Sequence, residues 1–413
     1  MNNSPKLTSR PLWAWTAFDA GNSAHALLVS TVGFALYFQQ VLFADSPRVD
    51  TLWALVTALV LTVAAVTTPF LTSWLAFRGR RAQGLVLVTM VCVTATAALG
   101  LPLERAYAIA VYIVSATGYY LALPIYNSYI EDVAEGEADR ASARGWAVGY
   151  VGGIVAVALA FAFGLLSSPV TERPDLYRWM FVLAAVFNLI CSAPLMVWAM
   201  RAQHQVVVSS LSWTFSRVFD VLRTQPRVLR LLFSYWMVSE CGTIAIYFTA
   251  IFLARYVGMP VATIFALTLA IQLLGAASTW SVGELVRRIG ASPIYTVVCV
   301  IWATVPFLLW IISVGWSYWF ALVGLGLVIG AHHAIVRGEV AKIAAREGLE
   351  ADAKGSIFGF LEVTGRITSI LGPLIVGLFT FFVPLSQALL VASVFPVIAL
   401  LAIRGYKWRP AQS

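Results

Sequence analysis

Apolar stretches long enough to cross a bilayer recur through the whole chain, and they leave little freedom in what it can fold into. A spanning helix needs roughly 20 mostly apolar residues, and lipid obliges each segment to satisfy its own backbone polar groups. Twelve stretches meet that rule: Trp13–Phe38, Leu52–Ala76, Gln83–Leu103, Tyr107–Tyr129, Gly145–Leu166, Tyr177–Met200, Leu229–Tyr256, Ala262–Val286, Pro293–Val314, Trp316–Val336, Ser356–Phe382 and Ser386–Ile403. The 413 residues are 60% hydrophobic and only 11% charged, with a mean hydropathy of +0.85. Soluble globular domains do not have this composition. The expected fold class is an all-α membrane protein with twelve transmembrane helices in two six-helix bundles.

The net charge of +8 does not point to nucleic acid, because the basic residues lie in short loops between apolar segments. Clusters such as Arg78-Gly79-Arg80-Arg81, Arg287-Arg288 and Lys342 with Arg346 all fall on one side of the membrane. The other side keeps a few, such as Arg48, Arg105 and Arg255. The positive-inside rule then puts both termini in the cytoplasm, with the bacterial inner membrane as the expected location. Leu12–Phe43 is too long for the apolar core of a signal peptide. Cys92, Cys191, Cys241 and Cys299 sit inside apolar segments with no disulfide or metal-finger spacing. The longest polar connection, 201–227, separates an N-terminal half (1–200) from a C-terminal half (228–413). Within it Leu211, Phe215, Val218, Phe219 and Leu222 recur at helical spacing, which predicts an amphipathic helix at the membrane face.

Ionisable side chains inside the spans are rare and costly, so each is a functional candidate. The first span of each half carries an acid: Asp19-Ala20-Gly21-Asn22-Ser23 and Glu240-Cys241-Gly242-Thr243. Asn22 and Ser23, three and four residues after Asp19, share its helix face. His25 points about 120° away from it on a regular helix. A structural role for Asp19, accepting bonds near the helix end, weighs about as much as a binding role. Glu362 and Arg366 are an acid and a base four residues apart, which neutralise one another or present the guanidinium to an anionic solute. His332 and His333 are adjacent, so at most one is expected to face a central cavity. His25, Glu240, Cys241, His332 and His333 are metal-capable types, scattered without a fixed spacing. Gly145, Gly149, Gly152, Gly153, Gly365 and the Gly372-Pro373 pair would allow close helix packing and bending.

These motifs resemble the major facilitator superfamily and, within it, the UMF1 branch that contains Atg22-like proteins. The first span resembles that branch at Trp15, Phe18, Asp19, Asn22, Ser23 and Ala24, with His25 in place of Phe. Tyr126-Asn127, Ser142 and Gly145 to Gly153 resemble its stretch after the fourth span, and Glu240 to Thr243 its seventh-span element. Ile357-Phe358-Gly359, Gly365-Arg366, Thr368-Ser369 and Leu371-Gly372-Pro373 resemble its eleventh span, with Arg366 for Lys and Glu362 for a small residue. The superfamily usually places an acid before the basic run after the second span; here Leu75-Ala76-Phe77 stand there, and Glu284 is the nearest counterpart in the second half. The resemblance implies the major facilitator fold and secondary transport of a small polar solute.

The expectation is therefore alternating-access transport of a small charged or zwitterionic organic solute, such as an amino-acid-like molecule or organic anion. Arg366 would engage an acidic group. Glu240 and Asp19 would engage a cationic group or carry a coupling proton. Asn22, Tyr119, Asn127, Tyr150 and Gln272 would orient the solute, beside His25 and Glu362. No nucleotide-binding loop, cofactor motif or nucleophile–base constellation is found, so no enzyme chemistry, cofactor or nucleic-acid partner is expected, and the protein is expected to be a monomer in the bilayer. The alternatives are a divalent-metal exporter using His25, Glu240, Cys241 and His332 or His333, and a membrane scaffold or sensor.

Overall fold

A computed structural model of the chain describes residues 12–133, 138–202, 226–311, 317–346, 365, 368–406 and 408. The regular elements among them are all helical. In chain order they are α1 (Leu12–His25), α2 (Gly33–Tyr37), α3 (Val49–Phe77), α4 (Arg81–Ala98), α5 (Arg105–Asn127), α6 (Ile130–Val133), α7 (Ala138–Ala162) and α8 (Pro174–Ala202). After the undescribed 203–225 come α9 (Pro226–Arg255), α10 (Val261–Ile289), α11 (Ala291–Trp310), α12 (Ser317–Val328), α13 (Ala331–Arg346), α14 (Leu371–Phe379), α15 (Leu385–Ala388) and α16 (Val394–Ala402). Eleven helical stretches among the described residues are long and apolar enough to cross a membrane. They coincide with the predicted spans except the eleventh, whose first part lies outside the described residues. The amphipathic helix expected in 201–227 lies there too, as do Glu362 and Arg366.

The first span departs from the regular helix expected of it. Two π-helical turns, Ala26–Thr31 and Phe38–Leu42, flank α2. At Gly33 the chain turns so tightly that a Cβ would lie 1.8 Å from the Leu28 carbonyl oxygen, so only glycine fits. Tyr177 Oη donates to the Gly33 carbonyl at 3.1 Å, which ties the first span to α8 at this distortion. The apolar pattern holds no trace of this, because a π turn changes backbone pairing and not hydrophobicity.

By packing, the described residues form two units. Residues to Leu42 and from Val66 to the end of α8 make the first; Phe43–Ala65 and everything from α9 onward make the second. Residues 49–65 therefore pack with the second unit, although chain order assigned them to the first half. Trp53 Nε1 donates to the Tyr247 carbonyl at 3.0 Å, Thr51 and Thr380 share a hydroxyl bond of 2.9 Å, and Arg255 pairs with Asp50 at 2.8 Å. Loop positions alone set the sequence boundary, and they do not register these contacts.

The core of the first unit is aromatic. Tyr126 stacks on Trp15 at 4.6 Å and on Phe18 at 4.9 Å between centroids, and Trp15 Nε1 donates to the Tyr126 carbonyl at 3.1 Å. Leu75, Leu85, Tyr129 and Leu195 close around them. Such rings give a large buried area, and the indole N–H finds its acceptor. Outward-facing Phe70, Ile190, Trp280 and Phe320 are exposed, the surface a helix shows to lipid rather than water.

Candidate functional site

In the first unit α1 packs on α7 and α8. The seam with α7 exists because Gly145, Gly149 and Gly152 lie on one face of α7 at spacings of four and three. A Cβ at these positions would come within 2.6 Å of the Trp15 ring, 2.7 Å of Asp19 Oδ2 and 2.4 Å of Ala20 Cβ, respectively. Small residues let the backbones approach this closely. Asp19 thus lies against Gly149, with Ser23 Oγ beside it, 2.9 Å from the same Cβ position. Tyr126 and Tyr150 are in electrostatic contact with the Asp19 carboxylate.

Exposure along α1 separates two faces. Asp19, Ser23 and Ala26, at intervals of four and three, are half-buried and form the accessible stripe. Asn22 and His25 are buried. Expected to share the Asp19 face, Asn22 instead turns inward, and its Nδ2 has no hydrogen-bond partner among the described residues. Ser23 takes its place on the accessible stripe and is the site residue that the sequence reading underweighted. Its signal was the four-residue spacing from Asp19.

His25 is fully buried and belongs to a directed hydrogen-bond chain. Thr96 Oγ1 donates to the Cys92 carbonyl at 2.7 Å. Ser115 must then donate to Thr96 Oγ1, at 2.7 Å, which leaves His25 Nε2–H to donate to Ser115 Oγ at 3.0 Å. The ring stacks on Tyr119 at 4.9 Å. His25 and Tyr119, expected at the solute, are thus tied to one another and to α4 and α5 inside the first unit. Asn127 ends α5 and is exposed. Tyr150, expected to orient the solute, lies in electrostatic contact with Asp19.

In the second unit α9 packs against α14, and Glu240 meets the start of that helix. Glu240 is fully buried. Its Oε2 accepts the Gly372 N–H at 2.6 Å, and a Cβ on Gly372 would lie 2.8 Å from that oxygen. Among the described residues its Oε1 has no hydrogen-bond partner. A carboxyl oxygen that accepts a backbone N–H at a helix start caps that helix. Gln272 lies half-buried on α10.

His332 and His333 do not diverge as adjacent helical residues were expected to. Their rings are 3.9 Å apart, gathered against Tyr235, whose hydroxyl is 2.8 Å from His333 Nδ1. His332 is fully buried, its Nδ1 3.3 Å from the Val328 carbonyl. The constellation imagined for a divalent metal is not assembled. His25 is enclosed in the first unit, Cys241 Sγ donates to the Ala392 carbonyl at 3.1 Å in the second, and among the described residues no three His, Cys, Asp or Glu side chains converge.

The basic loop after the second span does find an acid. Arg81 pairs with Asp132 on α6, donates to the Ser128 carbonyl at 3.0 Å and lies 3.8 Å over the Tyr129 ring. The sequence reading looked for this acid before the basic run; it comes instead from beyond the fourth span. Glu284 pairs within its own helix with Arg287 and with Arg288, the latter at 2.7 Å, so it acts locally.

The family described as vacuole effluxer Atg22 like matches residues 131–381. A curated relative, the uncharacterized MFS-type transporter YxiO of Bacillus subtilis (strain 168), is 22% identical over 378 residues, which is 88% of this chain and 86% of that one. Among solved structures, a bacterial homolog of the human lysosomal transporter Spinster superposes with a TM-score of 0.68 at 18% identity, covering 97% of this chain and 98% of that chain. The xylose transporter XylE from E. coli gives a TM-score of 0.67 at 13% identity, covering 97% and 98%. A D-xylose-proton symporter gives 0.71 at 13% identity, covering 97% of each chain. At these identities the likeness speaks for the fold alone. With the family match over more than half its length, this chain belongs to the Atg22-like family of the major facilitator superfamily and has the twelve-span, two-bundle fold of that superfamily.

Proposed function

We propose that the protein is a secondary active transporter that moves a small charged or zwitterionic organic solute by alternating access, with proton coupling. The observation that carries this reading is the pair of intramembrane acids, Asp19 and Glu240. Each sits on the first span of its half, and each lies against a glycine of a later span, Gly149 and Gly372. A carboxylate among apolar helices is costly, and two at corresponding places fit a carrier built from two similar halves. In this reading Asp19 and Ser23 meet the solute's cationic group, Tyr150 orients it, and Glu240 carries the coupling proton. Arg366 and Glu362, outside the described residues, supply the complementary charges for an acidic group. The halves 1–200 and 228–413 move about the 201–227 linker, and the monomer sits in the bacterial inner membrane with both termini cytoplasmic.

The test is a thermal-shift screen of the purified protein against amino acids, amines and organic anions, followed by solute counterflow in proteoliposomes for each hit. A ligand that raises the unfolding temperature and exchanges across the bilayer supports the reading. A protein that binds several solutes yet exchanges none of them is not a carrier.

A further inference from the structure

The eleventh span is interrupted beside Glu240. Pro373 has no N–H to return to the carbonyl of Ser369, four residues earlier. The neighbouring Gly372 N–H, which could have reached back into the same turn, goes to Glu240 Oε2 instead, at 2.6 Å. Residues 369 and 370 are a turn, and α14 begins only at Leu371. Among the described residues two oxygens are short of donors at this break: the Ser369 carbonyl loses the N–H that a regular helix would supply from position 373, and Glu240 Oε1 is buried with no hydrogen-bond partner. Oε1 belongs to the carboxyl whose other oxygen touches Gly372, so it lies at the break. The Thr368 hydroxyl donates instead to the Gly365 carbonyl, at 3.1 Å. Broken spans in carriers coordinate ions with unwound carbonyls of this kind.

We infer that Glu240 and the interrupted turn at residues 368–373 form a binding site for a small monovalent cation, H+ or Na+, held by carboxylate and carbonyl oxygens. The inference rests on the transporter reading and adds to it the atoms that take the cation and a consequence. A cation on Glu240 competes with the Gly372 N–H for the carboxyl. Cation binding then weakens the cap on α14 and loosens the eleventh span where glycine and proline already permit bending. Hard oxygen donors suit Na+, and a protonated Oε1 would instead donate to the carbonyl. Among the described residues the titratable group in electrostatic contact with Glu240 is the Cys241 thiol on its own helix. On the elements packed around α9, His333 of α13 bonds Tyr235, His332 adjoins it, and Tyr295 of α11 is bonded to Ser234.

The test uses the full-length purified protein. Its unfolding temperature is titrated with NaCl against choline chloride at fixed pH, and separately with pH at fixed ionic strength. Wild type is expected to respond to one of the two cations. Glu240→Gln is expected to abolish that response, and Pro373→Ala, which restores an N–H to the Ser369 carbonyl, to weaken the apparent affinity at least tenfold with the carboxyl still in place. A Na+ response identifies sodium; a pH response without one identifies the proton. Wild-type insensitivity to both cations, an unchanged response in Glu240→Gln, or unchanged affinity in Pro373→Ala overturns the site. Wild-type counterflow without an ion gradient reads the carrier separately: its absence sinks the transporter, whereas its presence without a cation response sinks this inference alone.

Discussion

Asp19 and Glu240 occupy corresponding places in the two units, each on the first span of its half and each pressed on a glycine, yet their surroundings differ. Glu240 is fully buried and bonded to a backbone N–H at the start of α14. Asp19 is half-buried, on an accessible stripe with Ser23, and among the described residues no hydrogen bond holds it. The same device, an acid against a glycine, thus serves as a structural latch in one unit and, among the described residues, is left without a hydrogen bond in the other. The difference follows from the partner helix. α7 runs unbroken past Gly149, so its N–H groups are used within the helix, whereas the Gly372-Pro373 break offers an N–H to the carboxylate.

If that contrast is right, stability should depend on one acid and transport on both. Glu240→Ala leaves the Gly372 N–H buried without an acceptor and should cost about 3 kcal/mol. Asp19→Ala should change stability by less than about 0.5 kcal/mol. Chemical or thermal unfolding in detergent reads both, and equal losses would erase the distinction. The glycines should separate in the same way. Gly372→Ala places a methyl against a bonded carboxylate and near the Glu240 backbone oxygen, 3.2 Å away, and should cost about 2 kcal/mol. At Gly149 the obstructing atoms are the tips of Asp19 and Ser23, which can swing aside, so Gly149→Ala should cost under about 1 kcal/mol. On the functional side, Asp19→Asn should lower the apparent affinity for the exchanged solute at least tenfold, about 1.4 kcal/mol, with an unchanged unfolding temperature. Solute concentration series in proteoliposomes check it.

The spans were legible because lipid makes length and hydrophobicity nearly sufficient for a helix, and the acids were legible because hydrocarbon makes them conspicuous. The orientation of side chains around α1 was less so. Regular helical geometry grouped Asn22 with Asp19, and the roughly 100° between Asn22 and Ser23 only acquired meaning once α7 lay against the helix. His25 read as a possible ligand because an intramembrane imidazole is unusual, and its bond to Ser115 depends on a helix 90 residues away. The ion pair of Arg81 with Asp132 escaped for the same reason: it joins α4 to the short α6, and the sequence places its acid beyond the motif where one was sought. Two neighbouring histidines with touching rings also run against the angular separation expected of adjacent helical residues, since rotamers can bring long side chains together against one tyrosine.

The most direct check on the account is water access along α1, which needs no knowledge of the solute. In a background with the four native cysteines replaced, Ser23→Cys and Asn22→Cys would each be treated with a hydrophilic maleimide in membranes. The account predicts rapid labelling at position 23 and protection at position 22, whose side chain is buried in the first unit. Labelling at 22 that matches or exceeds that at 23 would contradict it, because the accessible stripe would not be the one that carries Asp19.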